Sequence, residues 1–213
     1  MINFHIITIF PKIFDSYLNE SILKRAQEKK LIKIKTHNLR DFTTDKHKTV
    51  DDSPYGGGPG MVIKIEPIYK AITSLIRANK RIPRRKTRVI LFSTRGRKFD
   101  QKTAQRLAKY KNLILICGRY EGVDERVAKY IADEEISVGD FVLSGGELAA
   151  MILAEAVARF VPGVLGKKES LETIKGFYPV FTRPENLRNW KVPKVLLSGN
   201  HQLIDVWRKR HYN

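Results

Sequence analysis

Three short glycine-bearing stretches contain the residues that could do chemistry. The first, "DDSPYGGGPGM" at 51–61, holds four glycines and two prolines, a composition typical of loops whose backbone N–H groups hold phosphate. A Walker loop needs Lys and then Ser or Thr after its last glycine, but Met61 and Val62 follow Gly60. The dinucleotide fingerprint fails as well, because this stretch neither follows a strand directly nor opens a helix. Two interpretations remain: a loop whose backbone approaches a ligand closely, or a tight surface turn.

The other two stretches follow predicted strands. "CGRYEGVDERV" at 117–127 surrounds two glycines with charged groups, and "ISVGDFVLSGGE" at 136–147 places paired glycines at the start of a helix. Their structural alternatives are a capped helix start with surface ion pairs, and tight helix packing. Because loops at the carboxyl ends of parallel strands form ligand sites, we expect both to converge with "STRGR" at 93–97 on one pocket. No HExxH motif, cysteine cluster or GxSxG motif is present, which argues against a metal hydrolase or a serine esterase.

The elements that would position these loops alternate between strands and helices. Apolar runs predict strands, and amphipathic or apolar stretches at helical spacing predict helices. The predicted strands are 2–10, 31–39, 88–93, 112–118 and the first part of 135–144; the predicted helices are 20–30, 66–80, 100–110, 123–131 and 145–161. This order predicts an α/β fold with a mostly parallel sheet, and no knot, because knots are rare. Beyond Gly166 the pattern breaks into a polar, irregular stretch, and an amphipathic helix is predicted at 202–211.

The charge balance points to a polyanionic partner. Lys and Arg number 40 against 22 Asp and Glu, a net charge of +18. The excess is uneven, since residues 77–88 hold seven basic residues and no acid, and residues 159–213 hold 11 basic and 4 acidic residues. Both stretches suit phosphate contacts with RNA, which position a protein without reading sequence. The alternative is a highly charged protein with solvated faces, because charge alone does not name a partner.

Cysteine usage and the apolar runs predict a cytoplasmic protein. The single cysteine, Cys117, rules out an internal disulfide, as is typical of a reducing compartment. The first residues lack the basic region of a signal peptide and carry Asp15 soon after the apolar run. The longest apolar run, 148–154, is far shorter than the ~20 residues that a membrane helix needs.

Several motifs together resemble a known family. In chain order they are "TVDDSPYGGGPGM", "CGRYEGVDERV", "VGDFVLSGGELAAM", "RFVPGVLG", "FTRPE" and "VPKVLLSGNH". This series is similar to the bacterial tRNA (guanine-N1)-methyltransferases, the TrmD family of the SPOUT class, over nearly the whole chain. The resemblance implies transfer of a methyl group from S-adenosylmethionine to N1 of the guanine 3′ of the anticodon (position 37) in tRNA. It also implies a homodimer with the active site at the subunit interface.

The resemblance further implies a knotted fold in two domains. Residues 1–165 would form an S-adenosylmethionine-binding domain with a parallel sheet, helices on both faces and a C-terminal trefoil knot. Residues 166–181 would be an interdomain linker. Residues 182–213 would form a small helical domain that binds tRNA and is shorter than in relatives. The basic stretch 77–88 would then compensate electrostatically for the shortened domain.

Most site residues are carried over from the matching motifs. The glycine-bearing loops would surround the cofactor through Leu91, Ser93, Thr94, Gly118, Glu121, Val138, Gly139, Asp140, Phe141, Val142, Leu143, Ser144, Gly145 and Gly146. The substrate would be contacted by Asp51, Tyr55, Gly60, Arg119, Gly199, Asn200 and His201.

The chemistry itself requires a base and a cation. Guanine N1 carries a proton that a base must remove, and negative charge then develops on O6. The resemblance assigns the cation to Arg159. Relatives place an Asp beyond the "GVLG" turn, but no Asp occurs between residues 166 and 176 here, so Glu172 is the candidate base and Glu169 the second. Family members depend on Mg²⁺, for which Glu121 is a candidate contact, although the sequence shows no dedicated metal cage.

Two other functions stay open because the family Asp is missing. One is a non-catalytic, basic RNA-binding protein of the same fold. The other is a SPOUT methyltransferase that acts on a different RNA.

Overall fold

The computed structural model describes residues 1–78, 83–166 and 178–212, which fall into two compact units. The first unit is Met1–Val164 and the second is Leu165–Asn213. Most of the predicted linker, 166–181, lies outside the described residues.

The first unit is built on a five-stranded parallel sheet in the order β2-β1-β6-β5-β7. These strands are β1 (Ile2–Thr8), β2 (Ile32–Asn38), β5 (Thr87–Lys98), β6 (Asn112–Ile116) and β7 (Glu134–Ser137). The short strands β3 (Asp51–Asp52) and β4 (Val62–Ile63) form a separate antiparallel pair. The prediction of an α/β fold with a parallel sheet is therefore confirmed.

Helices cover both faces of this sheet. The helices are α1 (Asp15–Leu18), α2 (Ser21–Glu28), α3 (Ile65–Ala78), α4 (Gln101–Leu107), α5 (Glu125–Tyr130) and α6 (Glu147–Ala158), and 3-10 turns occupy Pro11–Phe14, Leu39–Phe42 and Arg84–Lys86. One hydrophobic core joins α1, α2, α4 and α6 to the sheet, and the other joins α3 and α5 to its opposite face. Asp100 caps α4 as predicted, because its carboxylate accepts a hydrogen bond from the Thr103 N–H.

Strand β5 is longer than the predicted 88–93 and contains an irregularity. Phe92 and Arg97 both pair with Ile136 of β7, so the four residues between them bulge out of the ladder. A side chain at Gly96 would come within 2.6 Å of the backbone of Glu135, which explains why glycine stands there. The "STRGR" stretch is thus a bulge within a strand, where a loop after the strand was predicted.

The second unit contains a hairpin and two helices among its described residues. Strands β8 (Asn186–Leu187) and β9 (Trp190–Lys191) pair antiparallel, and helices follow at Lys194–Leu197 and His201–Arg210. The predicted final helix, 202–211, is shifted by one residue because Asn200 caps it through the Leu203 N–H. Trp207 stacks on His211 and meets Phe181 edge-on, which gives this unit its aromatic contacts.

Candidate active site

A cavity of about 530 Å³ opens at the carboxyl ends of β5, β6 and β7. Its walls are the β5 bulge, the segment after β6 and the segment between β7 and α6. The lining residues are Leu91–Arg95, Gly118–Val123, Glu125, Ala128, Glu135–Gly139, Phe141–Gly146 and Ala149. The 93–97, 117–127 and 136–147 stretches therefore converge on one cavity as predicted, and its volume suits a small-molecule ligand.

A buried ion pair holds the cavity's inner wall together. Glu147, the first residue of α6, is 2% exposed and accepts a hydrogen bond from Arg119 Nε at 3.0 Å and one from Thr8 Oγ1 at 2.8 Å. The Arg119 guanidinium also lies 4.8 Å from the centre of the Phe10 ring. The carboxylate is further favoured by its place in the first turn of a helix. These contacts connect β1, the segment after β6 and α6, so they fix where the cavity walls meet.

Gly146 allows α6 to begin directly against the end of β6. A Cβ at this position would lie 2.8 Å from Cys117 Cα and 3.2 Å from the Gly118 nitrogen, both of them backbone atoms. The Gly146 N–H donates to the Gly118 carbonyl at 2.9 Å. Burial, and after it the charge of Glu147, raises the pKa of the Cys117 thiol well above its ordinary value. The thiol is therefore protonated and unsuited to act as a nucleophile.

Carboxylates line the opposite side of the cavity. Glu125 is paired with Arg95 at 2.6 Å, and both side chains are about two-thirds exposed. Glu135 Oε1 is buried and has no hydrogen-bond partner among the described residues, and the Arg95 guanidinium stands 4.0 Å from it. An acceptor that is buried without a donor is costly unless a ligand supplies one. Glu135 is therefore available to a hydroxyl or amino group of a bound molecule.

The 51–61 stretch is attached to the cavity at its base and open at its tip. The Glu121 N–H donates to the Met61 carbonyl at 3.0 Å, and the Ile63 N–H donates to the Gly122 carbonyl at 3.0 Å. Gly60 has φ +77°, and a Cβ there would lie 2.5 Å from Glu121 Cγ. Tyr55, at the tip, is fully exposed. At Gly60 this backbone thus closely approaches a cavity residue, and its predicted approach to a ligand stays a prediction.

Metal-binding groups are not clustered in the parts of the chain that the structure describes. Across 1–78, 83–166 and 178–212, no three His, Cys, Asp or Glu side chains are grouped so as to hold a metal ion. None of the helices described in those ranges is long and apolar enough to cross a membrane.

Comparison with known proteins places the chain in a family. The model of the family described as "tRNA (Guanine-1)-methyltransferase TrmD" matches residues 2–213. This chain belongs to that family. A tRNA (guanine-N(1)-)-methyltransferase of Carboxydothermus hydrogenoformans is 54% identical over 211 residues, which cover 96% of this chain and 80% of the relative. One from Dictyoglomus turgidum is 53% identical over 216 residues, covering 99% of this chain and 84% of the relative.

A solved structure agrees with this assignment. The tRNA (m1G37) methyltransferase of Aquifex aeolicus superposes with a TM-score of 0.83 at 44% identity, covering 99% of this chain and 88% of that one. The family predicted from the sequence motifs is therefore confirmed, as is the prediction of an enzyme of this type.

The structure brings most of the predicted cofactor residues together. All of them line the cavity except Asp140, which is exposed and forms an ion pair with Lys98. Arg119, predicted to contact substrate, lines the cavity, but its Nε donates a hydrogen bond to Glu147. Asp51 lies in β3, and Gly199, Asn200 and His201 lie at the start of the last helix of the second unit.

Of the predicted catalytic residues, the structure describes Arg159, which does not line the cavity. Arg159 is the C-cap of α6, 13 residues beyond Gly146, which puts it about 20 Å along the helix from the cavity end. Glu172 and Glu169 lie outside the described residues. Their roles stay predictions.

Sequence reasoning missed two carboxylates that matter to this site. Glu147 directly follows the paired glycines Gly145 and Gly146, and an acid at such a helix start is a recognisable signal for an N-terminal carboxylate. Glu135 gave a weaker signal, a charged residue opening an apolar strand. The partners of Glu147, Thr8 and Arg119, are distant from it in sequence, so the sequence does not indicate the contact.

Proposed function

We propose that this protein transfers a methyl group from S-adenosylmethionine to N1 of the guanine at position 37 of tRNA. Membership of the TrmD family over residues 2–213 is the observation that carries the proposal. The family confirms a tRNA (guanine-N1)-methyltransferase as predicted. Beyond this, we propose that the target guanine is at position 37 and that the cofactor is S-adenosylmethionine. The alternative of a non-catalytic RNA-binding protein has no observation in its favour beyond the missing family Asp.

The cavity fits the proposed cofactor in shape and charge. Leu91, Val138 and Ala149 supply apolar wall, while glycine backbone offers donors and acceptors for polar edges. Glu135 Oε1, buried without a donor, is suited to a ribose hydroxyl or an amino group. The carboxylates of Glu121 and Glu125 also complement a positive sulfonium. S-adenosylmethionine, when bound there, supplies the electrophilic methyl carbon and leaves as a neutral thioether.

The chain's own groups then have three tasks. They must hold the guanine beside the cavity, remove the N1 proton and stabilise charge on O6. We assign removal of the N1 proton to Glu172, with Glu169 as the second candidate. We assign stabilisation of the charge on O6 to Arg159. The base of the 51–61 stretch, fixed to Glu121 through Met61, supports Asp51, Tyr55 and Gly60 as contacts of a flipped-out guanine.

The position of Arg159 favours a homodimer. Lying about 20 Å along α6 from the cavity end, it would act on a guanine in the cavity of a second copy. An exposed apolar strip on the same helix supports such a contact. The strip comprises Leu148 and Ile152 of α6 with Phe10, Ile13 and Tyr17, whose exposed fractions are 39–52%. Tyr17 donates a hydrogen bond to Glu155, so the two parts of the strip are adjacent.

The remaining features of the proposal follow the family. They are a C-terminal trefoil knot in the first unit, a tRNA-binding role for the small second unit with Gly199, Asn200 and His201 as contacts, Mg²⁺ dependence with Glu121 near the ion, and a cytoplasmic location. The domain limits 1–165, 166–181 and 182–213 are proposed on the same basis.

Methyl transfer from labelled S-adenosylmethionine tests the proposal directly. The substrates are tRNA with guanine at position 37 and the same tRNA with that guanine replaced by adenine. Label should enter the first and not the second. Equal labelling of both would indicate a methyltransferase with another target, and no labelling of either would indicate an RNA-binding protein without catalysis.

Glu172→Gln and Glu169→Gln then assign the base. Loss of rate in the first variant alone, with S-adenosylmethionine affinity unchanged, supports Glu172. An unchanged rate in both would remove the assignment.

A further inference from the structure

The amino-terminal edge of the parallel sheet carries a row of exposed cations. They stand just before three of the four adjacent strands β2-β1-β6-β5: two before β2, two before β6 and two before β5. Together they form what we call the basic rim: Lys29, Lys30, Lys109, Lys111, Arg85 and Lys86. All six are exposed, and none forms an ion pair with another described residue. The 3-10 turn and loops that hold them lie at the opposite edge from the cavity.

The strand register brings the rim into line. Thr87 pairs with Asn112, and Asn112 pairs with Asn3, so Lys86 and Lys111 stand side by side. The Lys111 N–H donates to the Lys86 carbonyl, and the Asn3 N–H donates to the Lys111 carbonyl, both at 2.8 Å. With strands about 4.8 Å apart, the row from β2 to β5 spans roughly 15 Å. That length matches two or three successive phosphates of a nucleic acid strand.

A ladder of hydrogen-bonded polar side chains, two buried and one half-buried, fixes the backbone under the rim. Asn3 Nδ2 donates to Asn112 Oδ1 at 2.8 Å, and Asn112 Nδ2 donates to Thr87 Oγ1 at 3.3 Å. The three side chains belong to β1, β6 and β5, so their hydrogen bonds hold the strand ends in register. The cations are therefore presented by a rigid edge, which reduces the entropy lost when they bind an extended anion.

The acids near this edge are already used by other cations. Asp133 pairs with Arg84 at 2.8 Å, and Glu134 pairs with Arg88 and Arg106 at 2.7 and 2.6 Å. Within residues 84–88, Arg84 and Arg88 are thus committed to ion pairs, whereas the two rim residues, Arg85 and Lys86, form none with described residues. Glu28, at the end of α2, is the acid next to the rim in sequence. The rim keeps a strong positive charge.

We infer that the basic rim binds the sugar–phosphate backbone of tRNA outside the anticodon arm. This inference rests on the proposed function. Ser93 at the cavity follows Thr87 at the rim by six positions along β5, which places the two about 20 Å apart. A stem longer than that distance reaches both, so the rim contacts tRNA while position 37 occupies the cavity. Such contacts add affinity and salt dependence without choosing the base.

The test compares two RNAs and two charge-matched variants. The rim variant is Lys30→Gln, Lys86→Gln and Lys111→Gln; the control is Lys24→Gln, Lys35→Gln and Lys102→Gln, three exposed lysines away from rim and cavity. Each is measured for binding to full-length tRNA and to its isolated anticodon stem-loop over a range of salt. Labelled methyl transfer to the stem-loop is measured in parallel.

The rim variant should lose about tenfold or more in affinity for full-length tRNA, and its salt slope should fall by about 2 to 3. Its affinity for the stem-loop and its methylation of the stem-loop should match the control. Equal affinity of the two variants for full-length tRNA would overturn the inference, and so would an equal loss on both RNAs.

Vesicles containing equal parts of phosphatidylcholine and phosphatidylglycerol provide the competing partner. Loss of vesicle binding in the rim variant with tRNA binding unchanged would assign the rim to a membrane surface and contradict the inference. Failure of the proposed function is separately visible, because the wild-type protein would then methylate neither RNA.

Discussion

At its carboxyl edge the central sheet carries a largely buried ion pair and close-packed glycine, whereas at its amino edge it carries exposed lysines above a ladder of hydrogen-bonded polar side chains. Glu147 of the Glu147–Arg119 pair is nearly inaccessible to solvent, Arg119 is partly buried, and Gly146 leaves no room for a methyl group. Lys86 and Lys111, by contrast, touch no described acid. The structure of the carboxyl edge therefore depends on packing and desolvated charge, whereas the interactions of the amino edge depend on long-range electrostatics.

This difference determines how each edge responds to substitution. A change at the carboxyl edge alters the shape of the cavity and the stability of the fold together, because the same contacts determine both. A change of charge at the amino edge alters association with a polyanion and leaves the fold intact. Substitutions at the two edges should therefore separate stability from RNA affinity.

The largest expected effect comes from Glu147→Ala at the carboxyl edge. Removal of this carboxylate leaves Arg119 partly buried without its partner and Thr8 Oγ1 without an acceptor, which should lower the free energy of unfolding by about 3 kcal/mol. Urea denaturation measures the loss. The matched control is Glu66→Ala, which removes an exposed i,i+4 partner of Lys70 and should leave the urea midpoint nearly unchanged. Equal effects of the two variants would show that the Glu147–Arg119 pair contributes no more to the free energy of unfolding than the exposed Glu66–Lys70 pair.

Gly146→Ala should give the next largest effect on the free energy of unfolding. The added methyl group would meet Cys117 Cα and the Gly118 nitrogen, so the segment after β6 must move, at a cost of about 1–3 kcal/mol in the free energy of unfolding. Affinity for S-adenosylmethionine, measured by calorimetry, should fall more than tenfold because that segment lines the proposed site. The control is Gly166→Ala, where no atom lies within 4 Å of the added carbon. Unchanged ligand affinity in the first variant would argue against this cavity as the cofactor site.

The carboxyl edge was largely predictable from sequence, and the amino edge was not. Glycine-bearing stretches after apolar strands indicated a pocket, since strand ends in a parallel sheet share an edge, and the family motifs named its residues. The β5 bulge was missed because an apolar run followed by Gly96 resembles a strand that ends. The rim was missed because Lys30, Lys86 and Lys111 are far apart in sequence. Only the strand order β2-β1-β6-β5 makes them neighbours.

A histidine pair between the two edges should make stability depend on pH. His5 Nδ1 lies 3.0 Å from His37 Nε2, and burial, followed by the charges of His37 and nearby lysines, lowers the pKa of His5 to about 4. Because the unfolded chain binds protons from about pH 6.5 downward, stability is full above that pH and is lost as pH falls toward 4. His5 alone should reduce the free energy of unfolding by about 2 kcal/mol between pH 7 and pH 5.

Denaturation at the two pH values tests this dependence. His5→Gln should flatten the change between pH 7 and pH 5, while His47→Gln, which alters an exposed loop histidine, should not. A wild-type protein equally stable at both pH values would contradict the expectation.

The smallest effect on stability is expected at the rim, and two adjacent residues of one chain segment test it. Lys111→Gln should change the free energy of unfolding by less than about 0.5 kcal/mol, because its side chain is exposed and outside any described ion pair. Asn112→Ala, one residue further on, should cost about 1–3 kcal/mol, because Asn3 and Thr87 lose their buried partner. The salt slope of tRNA binding should respond in the opposite order, falling by about 1 for Lys111→Gln and staying unchanged for Asn112→Ala at a temperature where both are folded. If both substitutions moved stability and salt slope together, the amino edge would be a packed element like the carboxyl edge, and the contrast between them would fail.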